Sequence, residues 1–334
     1  VRRSCRMSTG WSFENGAWLK TTANATVTVL TRPLRVATLN VLFDSRDASS
    51  PCSELPEVLR HHERYDRVLE ELASLDADVI ALNEVTAFFL HKLTEQIWVR
   101  KRYVVSAVPV KDCDGLACVS SFGNVLLSRL PLANLDHINL PGSKREAVVA
   151  VIHLRSGSNV ARVVISSVHL TAAPLVSEAQ RARELQALSE ALPSAEVAVI
   201  LGDFNFHREA ESRAIPSGWV ELPAARDLCT WDMSRNLLIQ HYLPRVWWGF
   251  LLQPIKMRLD RIIILNGQEG PLADLEKSSV SLFADQPVST VATGREPLGL
   301  ASLLHSHRHA RWEEYLYPSD HFGLVMNLCL SLSD

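Results

Sequence analysis

The stretch Val197-Ala-Val-Ile-Leu-Gly-Asp-Phe-Asn-Phe-His207 constrains this chain most. Five consecutive apolar residues closed by Gly202 read as a short strand buried on both faces, which belongs in the middle of an α/β sheet. Asp203 and Asn205 follow it two residues apart, so in extended backbone they point to the same side. An Asp beyond a buried strand can be a plain turn former. The functional reading therefore depends on other strands delivering polar groups to the same place.

With 334 residues the chain can form one large α/β domain or two ordinary ones. Hydrophobic residues make up 47% and charged residues 21%, which suits a globular protein with a large core. A net charge of −3 gives no global basic field, so a polyanionic partner would have to be held by a local patch or a metal. Six cysteines are scattered without zinc-site spacing, as expected of thiols in a reducing compartment, nuclear or cytoplasmic. No apolar segment follows Arg2, Arg3 and Arg6, so no secretory signal is visible and the protein is not expected to be secreted. The chain opens on Val1 rather than Met, which suggests a piece of a longer polypeptide.

Residues 1–32, rich in Thr, Ser and Asn, read as a tail or linker. Arg35–Asn40 is the first core strand, and Asp78–Asn83 is the second, with Glu84 at its end. Between them, Val68, Leu72 and Leu75 form one stripe of a helix over 62–76. This strand–helix–strand unit implies a right-handed parallel crossover that brings Asn40 and Glu84 to one edge. A second helix is expected over 86–101, and a strand closed by Pro131 over 123–131. Residues 146–155 and 161–170 read as a hairpin carrying His169 near its end, and 177–192 as a helix. The segment 241–258 holds Trp247 and Trp248 but is too interrupted by Pro and charge to span a membrane. His305, His307 and His309 read as a solvated face. The strands at 259 and 321 begin, rather than end, with polar residues: Asp260, and Asp320 with His321.

If these last two strands run antiparallel to the others, Asn40, Glu84, His169, Asp203, Asn205, Asp260, Asp320 and His321 meet on one rim. Several carboxylates there repel unless a cation or protonation offsets the charge. Carboxylate and amide oxygens without Cys favour Mg²⁺ or Mn²⁺ over zinc. A hard cation, two histidines and a water-orienting Asp are the equipment of phosphodiester hydrolysis.

Thr38-Leu-Asn40, Asn83-Glu84-Val85, Ser128-Arg-Leu-Pro131, Val168-His-Leu170, Gly202-Asp-Phe-Asn205, Leu259-Asp-Arg261 and Ser319-Asp-His321 resemble the ordered motifs of the endonuclease/exonuclease/phosphatase superfamily. Thr230-Trp-Asp with Asn236, and Pro-Ser-Asp-His-Phe-Gly-Leu, are similar to its 5′-tyrosyl-DNA phosphodiesterase branch. The resemblance implies a catalytic domain over 33–332, a four-layer sandwich of two mixed β-sheets flanked by helices. It also implies roles. Glu84 would bind Mg²⁺ or Mn²⁺ with Asn40 and Asp320, Asp203 would deprotonate the attacking water, and Asn205 would hold a phosphoryl oxygen. His321, supported by Asp260, and His169 would donate to the phosphate, and Trp231 and Asn236 would bind substrate. Leu42 stands where many members carry an acid, with Asp44 nearby; Asn83 replaces the usual Gln, and Phe322 the frequent Trp. Nucleic-acid ends, DNA or RNA, are the expected partner. A lipid or inositol-phosphate hydrolase and a non-catalytic binding module are the alternatives.

Overall fold

The computed structural model describes residues 10–22, 26–43, 61–109, 122–156, 159–172, 178–236, 238–239, 255–267, 273–288 and 316–330. Two mixed sheets lie face to face. The first joins β1 (Trp11–Glu14), β2 (Ala17–Lys20), β4 (Leu34–Asn40), β5 (Val79–Val85), β6 (Val104–Val105), β7 (Gly123–Ser128), β16 (Ala273–Phe283) and β17 (Gly323–Leu330) in the order β16-β17-β4-β5-β7-β6-β1-β2. The second joins β3 (Val27–Val29), β9 (Glu146–Ser156), β10 (Asn159–His169), β11 (Val197–Asp203), β12 (Trp219–Val220) and β15 (Asp260–Asn266) in the order β12-β15-β11-β10-β9-β3, with β8 (Asn134–Asn139) also on β9. A short ribbon pairs β13 (Trp231–Asp232) with β14 (Lys256–Met257).

Alternation along each strand builds the layers. Val36, Ala81 and Leu126 of the first sheet share a core with Ile152, Ile165, Val199 and Ile264 of the second. The intervening residues face outward. Ala37, Leu39 and Ile80 pack under α1 (His61–Ser74) and α2 (Ala87–Glu95), while Val164 and Ile200 pack under α4 (Glu178–Ala191). The four-layer sandwich is therefore realised as helix, sheet, sheet, helix.

Three elements differ from the sequence expectation. The stretch read as a tail contributes β1, β2 and β3 to the two sheets. Its local signal is Asn15-Gly16, both at positive φ (50° and 86°) between the paired residues Glu14 and Ala17, a two-residue hairpin turn hidden by the polar composition. The single helix expected over 86–101 breaks at Gln96, whose extended backbone separates α2 from α3 (Ile97–Arg102). The solvent-facing alternation of β16 makes a strand of part of a region left unassigned.

Gly202 is where the second sheet is tightest. Its φ is +142°, and a Cβ there would lie 1.9 Å from the Val168 carbonyl oxygen on the adjacent parallel strand. Gly202→Ala must therefore part β10 from β11 one residue before His169 and Asp203. We expect a loss of about 3 kcal/mol or more in denaturant unfolding; an unchanged midpoint would show that the strands separate freely.

Candidate active site

Pairing delivers the polar groups to one end of the sandwich. Asn40 lies beside Asn83 across the parallel β4–β5 pair, and His169 beside Asp203 across the parallel β10–β11 pair. Antiparallel β15 sets Asp260 opposite Asp203, and antiparallel β17 returns the 319–322 turn to the start of the loop after β4. The alternation that puts Val36, Ala81, Val199 and Ile262 in the inner core also turns Asn40, Asn83, Asp203 and Asp260 inward.

Glu84 breaks this rule. Strict alternation would send its side chain toward the helix layer, but the β5–β7 register shifts between Leu82 and Val85 and Glu84 adopts φ +58°. This left-handed bulge re-aims the carboxylate to the rim. Asn205 also departs from the extended backbone expected of it. With φ +52°, its N–H turns back onto Asp203 Oδ1 at 2.8 Å. Its amide nitrogen donates to the Leu170 carbonyl at 3.0 Å, leaving one amide hydrogen for a ligand.

All eight predicted groups join one network. Asn40 Nδ2 donates to Glu84 Oε1 and to Asp203 Oδ2, each at 3.0 Å, while its Oδ1 accepts the Leu42 N–H. Glu84 Oε2 accepts the Phe43 N–H at 3.1 Å. His169 Nε2 lies 3.5 Å from Asp203 and 3.9 Å from Glu84, with no hydrogen-bond partner among the described residues. His321 Nδ1 contacts Asp260 Oδ2 at 2.7 Å, and its Nε2 stands 3.9 Å from Asp320 and 4.0 Å from Asp203.

Burial sets the protonation states. It lowers His169 well below the usual imidazole range, reinforced by Arg145 and His321, so His169 is neutral at pH 7 and its approach to Asp203 is not an ion pair. Burial would lower His321 too, but Asp260, with Asp320 and Asp203 behind it, holds that imidazole well above its ordinary value. Asp203 is pushed up to about 7 by burial, against the pull of His321. Burial and the neighbouring Asp320 also raise Glu84.

These residues fit a hard divalent cation. Glu84 is a partly buried carboxylate that repels Asp320, and among the described residues no Lys or Arg forms an ion pair with it. Asn40 turns its nitrogen to two carboxylates, so its oxygen, with one lone pair taken by Leu42, faces elsewhere. Ligand atoms of Glu84, His169 and Asp203 also lie within 4.8 Å of one another. His321 is a poor ligand because it is protonated and tied to Asp260.

The remaining predicted residues make packing and backbone contacts around the rim. Trp231 packs in a small buried cluster with Ile239 and Leu259. Asn236, fully buried, donates to the Ser319 carbonyl at 2.7 Å and so props the Asp320 turn. Leu42 occupies a left-handed backbone position (φ 56°) beside Tyr317 and Phe322. Asp44, Trp247, Trp248 and the histidines at 305, 307 and 309 lie outside the described residues.

Four residues not predicted to serve the site hold it together. Asn83 crosses between the sheets, donating to the Val168 carbonyl at 3.0 Å and accepting the Asp203 N–H at 2.9 Å. Ser319 Oγ donates to the Asn40 carbonyl, and the Thr230 hydroxyl accepts the Asp260 N–H. Arg145 reaches the rim from the turn before β9, with its guanidinium 5.9 Å from the Phe122 ring, which in turn stacks on Phe43. Asn83, Ser319 and Thr230 stand inside the motifs noted above, but their contacts, and the arrival of Arg145, depend on which turns meet in space.

The strands that carry Asp260 and His321, β15 and β17, are not neighbours but belong to opposite sheets. The bond joins the sheets at the rim because each residue lies at or just before the start of its strand. The adjacent Arg261 pairs with Glu221 at 2.9 Å and leaves Asp260 to the imidazole. In Asp260→Asn the imidazolium loses its main stabiliser, so His321 should deprotonate more easily. The basic limb of the pH–rate profile should then move to lower pH, and an unmoved limb would refute the pair's role.

The sequence matches the Endonuclease/Exonuclease/phosphatase family over residues 37–321, and the chain belongs to that family. Its members are generally hydrolases acting on phosphoester bonds. Among solved structures, humanized D. rerio TDP2 carrying 14 mutations is 17% identical with a TM-score of 0.57, covering 88% of this chain and 98% of that one. D. rerio TDP2 complexed with single-strand DNA product is 16% identical, TM-score 0.55, over 88% and 98%. The human Nocturnin catalytic domain with bound sulfate is 18% identical, TM-score 0.54, over 90% and 95%. At these identities the likeness is one of fold. No curated protein matches the chain.

Proposed function

We propose that this protein is a metal-dependent phosphodiesterase that hydrolyses bonds at nucleic-acid ends by in-line attack of water. The observation that carries this reading is the rim geometry: His321 Nδ1 lies 2.7 Å from Asp260, and its Nε2 lies 4.0 Å from Asp203, a carboxyl that burial pushes up to about 7. An acid–base pair of that kind suits proton removal from water near neutrality and stabilisation of charge building on phosphate. Glu84, Asn40 and Asp320 would hold Mg²⁺ or Mn²⁺, which supplies Lewis-acid neutralisation of a phosphoryl oxygen. Asp203 takes the water proton. His321 and neutral His169, in the tautomer that carries its proton on Nε2, donate to the phosphoryl oxygens, and the second amide hydrogen of Asn205 adds a third donor.

Nucleic acid is favoured over a phospholipid by the wall at the rim, where Phe43 and Phe122 stack with ring centroids 5.2 Å apart and Arg145 lies over Phe122. Aromatic faces beside a cation suit bases and their phosphates, and one neighbour of the same fold was solved with a single-strand DNA product. No helix among the described residues is long and apolar enough to cross a membrane. The scattered cysteines support a nuclear or cytoplasmic setting.

The test is a screen of 5′-tyrosyl DNA, single-stranded RNA, abasic DNA and sphingomyelin with Mg²⁺ or with excess chelator. Turnover of a nucleic-acid substrate that stops in chelator is expected. Full activity in chelator removes the metal, and hydrolysis of sphingomyelin alone moves the reading to lipid. Binding without any turnover would make this a recognition module.

A further inference from the structure

The β1–β2 hairpin encloses space as well as extending a sheet. Trp11 pairs with Val105 of β6, and between the hairpin, the end of α3 and the turn after β7 lies a cavity of about 590 Å³. Its lining is strongly basic in a chain whose net charge is −3. Lys20 comes from β2, Arg100, Lys101 and Arg102 from the last turn of α3, and Arg129 from beyond β7. Among the described residues that line it, Glu14 is the single carboxylate.

Arg102 and Arg129 both bind one oxygen of Asp76 behind the groove, so that trio keeps a net positive charge. Lys20 and Lys101 are exposed and form no ion pair among the described residues. Arg100 is fixed by its Nε bond to the Thr94 carbonyl at 2.8 Å, with its guanidinium 4.6 Å from the centre of the Phe13 ring. Three cations ending a helix can serve simply to offset its dipole. That does not account for Lys20 and Arg129 converging on the same cavity from other elements, around a Phe13 ring that also packs edge-on against its cross-strand neighbour Trp18 at 5.4 Å.

We infer that this groove binds the phosphate backbone of a single-stranded nucleic acid, with Phe13 as the aromatic partner of a base. The choice of occupant rests on the nucleic-acid reading above, but the site is separate from the rim. β7 runs antiparallel to β5, so its Ser128 end lies at the far end of the sheet from Glu84, about 17 Å away at ~3.4 Å per residue. A strand held here adds affinity without touching the reacting groups. The local patch that a net-acidic chain needs for a polyanion is thus supplied by the N-terminal hairpin.

The experiment is fluorescence anisotropy of a labelled oligodeoxythymidine on the full chain, in chelator and over a range of KCl, comparing wild type with Lys20→Gln/Lys101→Gln. Both residues are exposed, so melting temperature should be unchanged. We expect affinity about tenfold or more weaker, and a log–log salt slope shallower by about 1.4, at roughly 0.7 per lost single-strand phosphate contact. Turnover of the small diester bis(4-nitrophenyl) phosphate should not change. Equal affinity and slope would overturn the groove, as would variant-sensitive binding confined to phosphatidylserine vesicles. An inactive protein that still loses affinity on substitution supports the groove while sinking the hydrolase. An active one with unchanged affinity and slope does the reverse.

Discussion

Asp203→Asn should leave a folded protein whose turnover is lower by about 10²–10⁴-fold, the usual worth of a positioned general base. Burial raises the Asp203 carboxyl to about 7, so at neutral pH it is ionised in a useful fraction of molecules and has a strong enough pull on a water proton. An amide has the same shape but no basic lone pair to take that proton. The substitution also meets a local conflict. Asn40 Nδ2 donates to one Asp203 oxygen and the Asn205 N–H to the other, so an amide must present its nitrogen to one of these donors. That mismatch costs about 1–3 kcal/mol of stability, which a large core absorbs. Single-turnover kinetics beside a thermal melt separate the two effects. Wild-type turnover in a folded variant would remove Asp203 from the chemistry.

Glu84→Ala, and the isosteric Glu84→Gln, should reduce metal-dependent turnover by about 10²-fold or more, because the metal offsets charge that builds in the transition state. Stability should respond differently. Burial and Asp320 hold Glu84 above its ordinary value, so its ionised form opposes folding, and that destabilisation grows as pH rises through the folded pKa. Glu84→Gln relieves that charge but must turn its nitrogen to either the Asn40 amide or the Phe43 N–H, so in chelator its melting temperature should gain on wild type as pH rises. Adding Mg²⁺ should raise the melting temperature of wild type and not of the variants. An equal Mg²⁺ shift in all three proteins would place the cation elsewhere.

The linear sequence determined the framework of this protein. The apolar runs at 35–40, 79–83 and 197–201, each followed by a polar residue, specify buried strands with functional ends, because strand burial and the two-residue side-chain period are local properties. The reversed position of Asp260 and Asp320 at the starts of their strands was enough to require antiparallel neighbours. The ordered motifs carried family and layers. Tertiary structure alone decided the chemistry of the rim. Protonation states depend on burial and on charges brought near from distant strands, which is why two histidines of equal intrinsic basicity diverge, His169 neutral and His321 charged. The aim of Glu84 depends on a bulge whose left-handed residue no periodicity encodes. The Asp260–His321 bond joins opposite sheets, Asn83 clasps one sheet to the other, and Arg145 arrives from a surface turn. These contacts exist only once two sheets, each legible by itself, are pressed face to face.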